Sequence, residues 1–341
     1  MSDLPPPAPI PEIDGPITTD KFNEIRKAAR PAILRKLVSD WPSVQAAGQS
    51  DEAICNYLVQ RAANHPIHAI AAPPGAGGRF FYADDLRSLN FVKARGHLGA
   101  FLADLLKAKR LDAPPSMAVQ SEKISRIAPQ FLTENTLALL PAISPRIWIG
   151  NRIRVAPHYD AKENVACCVA GRRRFTLFPP SRTADLYPGP FELTPAGTPV
   201  SMVDLAAPDL ERFPRFAPAW QEAGQGTLEP GDAIYIPYGW WHGVESLEPV
   251  SILVNYWWAP GKPDGIGSPY DALLHAMLAF KHMPDDQRTV WREMLDYYVF
   301  ERSGDPAAHL PEHAKGILGP PKPGLFAHMR ELIRRSLGPG G

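Results

Sequence analysis

The chain has 341 residues, and its 36 lysines and arginines balance 36 aspartates and glutamates, so the formal net charge is zero. That balance argues against a nucleic acid as the default partner, a local basic patch aside, and the length suits one large β-rich domain with additions or two domains. No apolar stretch approaches a membrane span, and Cys55, Cys167 and Cys168 form no Cys-x-x-Cys pair, a composition that fits the reducing cytoplasm.

The opening Met1-Ser2-Asp3-Leu4 lacks the charged-then-apolar pattern of a secretion signal. The prolines that follow predict an extended, loose lead-in over residues 5–16. Residues 19–29 and 50–63 read as helices, with Asp20 and Ser50 or Asp51 placed to cap them. Residues 97–109 make a third, because Leu98, Phe101, Leu102, Leu105 and Leu106 fall on one stripe. A fourth is expected near 129–140. Strand patterns occupy 116–120, 146–149, 164–169 and 174–178, and strands return over 226–258. Gly171 between two of these runs reads as a hairpin turn, and Pro179-Pro180 ends the second run because proline donates no ladder hydrogen bond. Residues 181–225 read as a long insert of the kind that forms part of a substrate wall.

From Ser268 onward the pattern is helical, over 270–278, 285–300 and 325–337. The stripes between Ser268 and Phe300 include Trp291, Met294, Leu295 and Tyr298. We read them as a homodimer face, against the competing reading of a cap packed on the chain's own barrel. The expected organisation is a lead-in at 1–16, a β-rich domain with N-terminal helices at 17–265, and a C-terminal helical region at 266–341.

The pattern that carries chemistry is His158-Tyr159-Asp160, joined by His242 in Gly239-Trp240-Trp241-His242. Positions i and i+2 of a strand point to the same side. His158 and Asp160 can therefore reach one ion while Tyr159 turns away, and His242 arrives from a distant strand. Two imidazoles and one carboxylate hold one face of an iron(II) ion and leave the other open for a co-substrate and dioxygen. Zinc or manganese in the same set would act as a Lewis acid, as in a metal-dependent isomerase or lyase. A non-catalytic barrel that binds a protein or small molecule is the third reading.

Other features yield plainer readings. The glycine-rich stretch from Pro74 to Gly78 lacks the Gly-Lys-Ser/Thr ending of a phosphate loop and reads as a turn. Trp240, Trp241, Trp257 and Trp258 divide between core packing and an aromatic pocket. His65, His68, His97, His275, His282, His309, His313 and His328 have no carboxylate partner at ligand spacing.

Around the two halves of the triad, the order and spacing of His158-Tyr159-Asp160, Asn164, Gly171 with its basic cluster, Leu177 to Pro180, Gly231-Asp232, Ile236-Pro237, Trp240-Trp241-His242 and Asn255-Tyr256-Trp257 form a set. That set resembles the JmjC-type, cupin-like iron(II)/2-oxoglutarate-dependent oxygenases over residues 140–260. The nearest branch contains the asparaginyl hydroxylase that inhibits hypoxia-inducible factor. Arg30-Pro31 through Asp40-Trp41-Pro42 resembles the family's opening segment.

The resemblance implies a mainly β fold with α additions: a double-stranded β-helix, or jelly-roll barrel, with N-terminal helices and a C-terminal helical region. It implies His158, Asp160 and His242 as catalytic metal ligands for Fe(II), with 2-oxoglutarate as co-substrate and hydroxylation of a C–H bond on a protein side chain or small molecule. It places Asn164 and Asn255 near the co-substrate or metal, and Arg173 on the distal carboxylate where relatives usually carry lysine. Val155 stands where a close relative has threonine, and Met117 to Gln120 contains no tyrosine where relatives tend to have one.

Overall fold

A computed structural model describes residues 4–259, 268–321 and 323–337. They fall into two compact units, Met1–Ala259 and Pro260–Gly341.

The first unit is a double-sheet jelly roll. Its six-stranded sheet runs in the order β1 (Ala8–Pro9), β12 (Gly224–Leu228), β11 (Arg173–Phe178), β14 (Trp241–Ser246), β9 (Arg154–His158) and β5 (Arg79–Phe80). The nine-stranded sheet runs β2 (Glu12–Ile13), β3 (Ala32–Leu34), β13 (Ala233–Ile236), β10 (Glu163–Ala170), β15 (Ser251–Trp258), β8 (Arg146–Gly150), β7 (Ser116–Lys123), β4 (Pro66–Ala72) and β6 (Val92–His97). The inner core joins the two sheets through Ala166, Cys168, Phe175, Leu177, Ile234 and Leu253.

The other face of the larger sheet is buried too. Val165, Cys167, Val169, Ile252 and Val254 pack there with Phe22, Ile54, Leu58, Leu102 and Leu105 from helices α1 (Thr19–Lys27), α3 (Asp51–Arg61) and α4 (Leu98–Ala108). A strand covered on both faces has no reason to alternate, which is why every residue of β10 is buried and its stretch from Val165 to Ala170 reads as one apolar run. Cys167 and Cys168 accordingly belong to opposite faces.

Several local expectations change. Ser50 caps α3 by accepting from the Ala53 amide, but α1 is capped by Thr18 rather than Asp20. Between these helices lies α2 (Pro42–Gln49), a helix not anticipated, started by a proline at its first position. Short helices α5 (Ile124–Ile127) and α6 (Pro129–Glu134) replace the longer one expected to 140. The buried Asn135 stops α6, its side chain tied to Ser43 and Phe131. The proline-rich lead-in is extended but not loose: β1 pairs with β12, β2 pairs with β3, and Ile10 between them is buried.

The largest correction concerns Gly171. β10 and β11 do not form a hairpin; each pairs with other strands, in different sheets. Gly171 is the corner where the chain passes from one sheet to the other. Its φ is +68°, and a Cβ there would lie 2.5 Å from the Val250 carbonyl oxygen. Only glycine fits both the left-handed backbone and the close approach. The insert at 181–225 contains α7 (Phe216–Gln221) and a short 3₁₀ turn, Pro180–Leu186, and packs Phe216 and Ala219 against Phe178 and Trp241.

The second unit consists of α8 (Pro269–Phe280), α9 (Asp285–Tyr298) and α10 (Pro323–Ser336), with two short 3₁₀ turns. Trp291 of α9 stacks on Phe280 of α8 with ring centroids 5.3 Å apart, while Leu274, Leu278, Val290 and Met294 stay exposed. No helix among the described residues is long and apolar enough to cross a membrane.

Candidate functional site

The site grows from the pairing of β9 with β14. His158 is the last residue of β9 and lies directly opposite His242 on β14. Asp160 sits just beyond the strand, where the Gly239 amide donates to its carbonyl oxygen at 3.0 Å and ties the two halves of the motif together. Ligand atoms of His158, Asp160 and His242 all lie within 4.8 Å of one another. The intervening residues point away, as alternation requires: Tyr159 packs on Trp241 at 4.9 Å between ring centroids, against the insert.

Both imidazoles have a fixed tautomer. His158 donates Nδ1–H to the Ala156 carbonyl at 3.0 Å, and His242 donates Nδ1–H to the Trp240 carbonyl at 3.1 Å. A carbonyl oxygen can only accept, so Nδ1 carries a hydrogen in each ring and Nε2 is the nitrogen left to face the cavity. Burial, reinforced by the neighbouring His158, holds His242 well below the usual imidazole range, with Asp160 opposing. His242 is thus neutral and ready to ligate a cation at neutral pH.

A cavity of about 400 Å³ opens on the triad. Arg173, Asn164 and Asn255 line it, as do Trp148 and Trp257, which meet edge to face at 5.0 Å. Arg173 is 3 % exposed. Its Nε donates to Ser251 Oγ at 2.9 Å, while Nη2 has no partner in the protein. Burial pushes its guanidinium down to about 10, and no carboxylate pairs with it among the described residues. The flanking arginines behave differently: Arg172 pairs with Glu248 and Arg174 with Glu245 nearer the surface. Asn255 donates Nδ2–H to Asn164 Oδ1 at 3.1 Å, and its own Oδ1 is buried and unpartnered. Asp160 Oδ2 and Trp257 Nε1 are in the same state.

Buried polar atoms ordinarily find partners. Unpartnered atoms of Asp160, Arg173, Asn255 and Trp257 around one cavity mark a place built for a polar guest. The donor set is also mixed in the right sense: two imidazoles and a carboxylate suit a divalent transition metal, and a buried cation suits an anion beside it.

Every residue singled out in the sequence for metal or co-substrate lines this cavity. Val155 lines it as well, leaving an apolar wall. Sequence reasoning missed Ser251, which orients Arg173, and Trp148, which faces Trp257; alternation within the strand at 146–149 could have pointed to the latter. It also missed Ser121 from β7, next to Gln120 at the end of the stretch where relatives tend to carry a tyrosine. The insert contributes Pro195 to Thr198 and Val200 to the wall, and Thr198 is anchored by donating to the Tyr159 carbonyl at 2.9 Å. Among the described residues no second cluster of His, Cys, Asp and Glu comes together in this way.

Comparison with known proteins gives the same frame. The family described as a cupin-like domain matches residues 18–263. The chain is 30 % identical to Jumonji C domain-containing protein 5 of Drosophila melanogaster over 265 residues, 73 % of this chain and 59 % of that protein. It is 36 % identical to lysine-specific demethylase JMJ31 of Arabidopsis thaliana over 131 residues, 38 % of this chain and 22 % of that one. Against the human bifunctional peptidase and (3S)-lysyl hydroxylase JMJD7 it is 27 % identical over 284 residues, 74 % of this chain and 84 % of that protein. The matched region thus spans about three fifths of the fly relative and about a fifth of the plant one.

Proposed function

The chain belongs to the cupin-like, JmjC-type family, and on that footing we propose that it is an iron(II)- and 2-oxoglutarate-dependent oxygenase that hydroxylates a C–H bond of a protein side chain or small molecule. One observation carries the reading: a buried arginine without a carboxylate partner shares a cavity with a His–Asp–His triad. A site for a metal alone would leave the Arg173 cation buried with no counter-charge, at a cost of several kcal/mol. A dicarboxylate with one end at the triad and the other at Arg173 would remove that cost. This favours the oxygenase over a non-oxidative metal lyase or isomerase, and over a barrel that only binds.

Nε2 of His158, Nε2 of His242 and Oδ2 of Asp160 would hold the metal, while their hydrogen-bonded partners fix each ring. Iron bound there would supply the oxidation of a substrate C–H bond by dioxygen, coupled to conversion of 2-oxoglutarate to succinate and carbon dioxide. Arg173, held by Ser251, orients the co-substrate through a charge-assisted pair. The Asn255 amide, steadied by Asn164, offers a polar contact beside the metal. Val155, Phe175, Val244 and Leu253 keep water from the buried end. Trp148, Trp257 and the insert at Pro195 to Thr198 border the space left for the substrate.

The names of the human and plant relatives, a lysyl hydroxylase and a lysine-specific demethylase, make a protein side chain the first substrate class to examine. Incubating the iron-loaded chain with 2-oxoglutarate and a peptide library, and reading the gain of one oxygen by mass spectrometry, tests the reaction. We also propose that the exposed stripes of α8 and α9 pair in a homodimer. The three buried, unpaired cysteines suit a cytoplasmic setting.

A further inference from the structure

The outer face of the six-stranded sheet carries a row of charge that the oxygenase reaction does not use. Arg79 on β5 is the register partner of Arg154 on β9; Arg154 partners Glu245 on β14, and Glu245 partners Arg174 on β11. These four side chains line a second cavity of about 410 Å³, roofed by Val203 to Ala206 and Trp220 of the insert. Like charges directly opposite each other on neighbouring strands repel. Arg79 and Arg154 therefore need a carboxylate between them, and the insert supplies one, Asp204.

That single carboxylate serves the two cations unequally. Asp204 receives Arg154 Nη1 at 3.0 and 3.3 Å, whereas Arg79 Nη1 stays 3.7 Å away, beyond hydrogen-bond distance. Among the described residues the Arg79 guanidinium makes a single long hydrogen bond, 3.5 Å from Nη2 to the Met202 carbonyl, and it lies 3.6 Å over the Phe81 ring. Burial pushes the Arg79 guanidinium down, Asp204 opposes, and Arg154 pushes the same way as burial. Three arginines face two carboxylates, Asp204 and Glu245, and Glu245 is already engaged by Arg174 at 2.8 Å. The cavity therefore holds an excess of one positive charge, concentrated at Arg79. Gln225 and Thr176, bonded to each other at 2.9 Å, add neutral polar groups to its lining.

We propose that this cavity is a second ligand site, which takes a small anion, a carboxylate or a phosphate, on the Arg79 and Arg154 guanidiniums. An oxyanion accepts from planar guanidinium forks in the way that Asp204 does for Arg154 alone. The site is separate from the metal cavity but shares its wall: Val155, Ala156 and Val244 line both. The wall contains an irregularity in the β9–β14 pairing between His242 and Val244, where a Cβ on Gly243 would lie 2.8 Å from Leu205.

The test is calorimetric titration of the full chain with inorganic phosphate in one arm and acetate in the other, the two arms telling phosphate from carboxylate recognition. Saturable binding of at least one is expected, weakened about tenfold or more in Arg79→Gln and unchanged in Arg173→Ala. Asp204→Asn removes the competing carboxylate and should tighten binding, an effect that damage to the fold would not produce. No saturable binding of either anion would overturn the proposal. So would binding that survives Arg79→Gln, that is lost in Arg173→Ala because the anion sits in the metal cavity, or that is weakened by Asp204→Asn.

Discussion

His158 and His242 face each other across the antiparallel pairing of β9 and β14, their rings 4.3 Å apart. Two candidate ligands far apart in sequence are thus fixed by a ladder of backbone hydrogen bonds rather than by loops. A ring held at Nδ1 and a backbone held by its neighbour leave little for a metal to organise, the condition under which a site binds without rearrangement.

Alanine at His158 or at His242 should therefore abolish stoichiometric iron(II) binding with little change in the thermal unfolding curve. Both rings border the cavity rather than the packed core. Metal analysis after anaerobic loading, beside circular dichroism, checks this. A double variant still holding one ion per chain would place the metal elsewhere.

Arg173→Ala should weaken 2-oxoglutarate on the order of 30-fold or more, the usual consequence of removing one partner of a buried charge pair, while iron affinity stays within a few-fold. Arg173→Lys should recover part of the loss, because it keeps the charge but not the fork. Calorimetry on the metal-loaded chain separates these effects. Equal 2-oxoglutarate affinity in the wild type and Arg173→Ala would remove the arginine from the co-substrate site.

The grouping of His158 with Asp160 was legible in the sequence because residues two apart in extended chain share a side, a local rule that holds here although Asp160 lies just beyond β9. Arg173, Asn164 and Asn255 were singled out through resemblance, and they line one cavity with the triad. What escaped was non-local. Nothing near Gly171 says whether the chain turns back on itself or crosses to the other sheet, since both need a left-handed glycine. The answer lies in the Val250 carbonyl pressed against it. Ser251 was missed for the same reason, as only the register of distant strands brings it to Arg173.

Gly171→Ala should destabilise the first unit by about 2–4 kcal/mol, from the left-handed backbone together with the overpacked Cβ. Chemical denaturation gives the figure. A loss below about 0.5 kcal/mol, the range of ordinary surface substitutions, would mean that the corner relaxes freely.

A homodimer through α8 and α9 predicts a mass of two chains in solution at micromolar concentration. Trp291→Glu combined with Leu295→Glu should shift it to one chain, because a two-fold interface meets each charge with its own copy. Analytical ultracentrifugation reads both. A wild-type monomer, or a dimer indifferent to these charges, would assign the stripes another purpose.

Succinate formation is the most direct test of the central claim, that the triad and Arg173 together make an iron- and 2-oxoglutarate-dependent oxygenase. The chain is loaded anaerobically with iron(II), mixed with 2-oxoglutarate, exposed to oxygen with and without candidate peptides, and assayed for succinate. The account predicts succinate that requires iron and oxygen, rises with a true substrate, and disappears in His158→Ala and in His242→Ala. Succinate persisting in both histidine variants, or a fully iron-loaded chain that neither binds nor consumes 2-oxoglutarate, would contradict it.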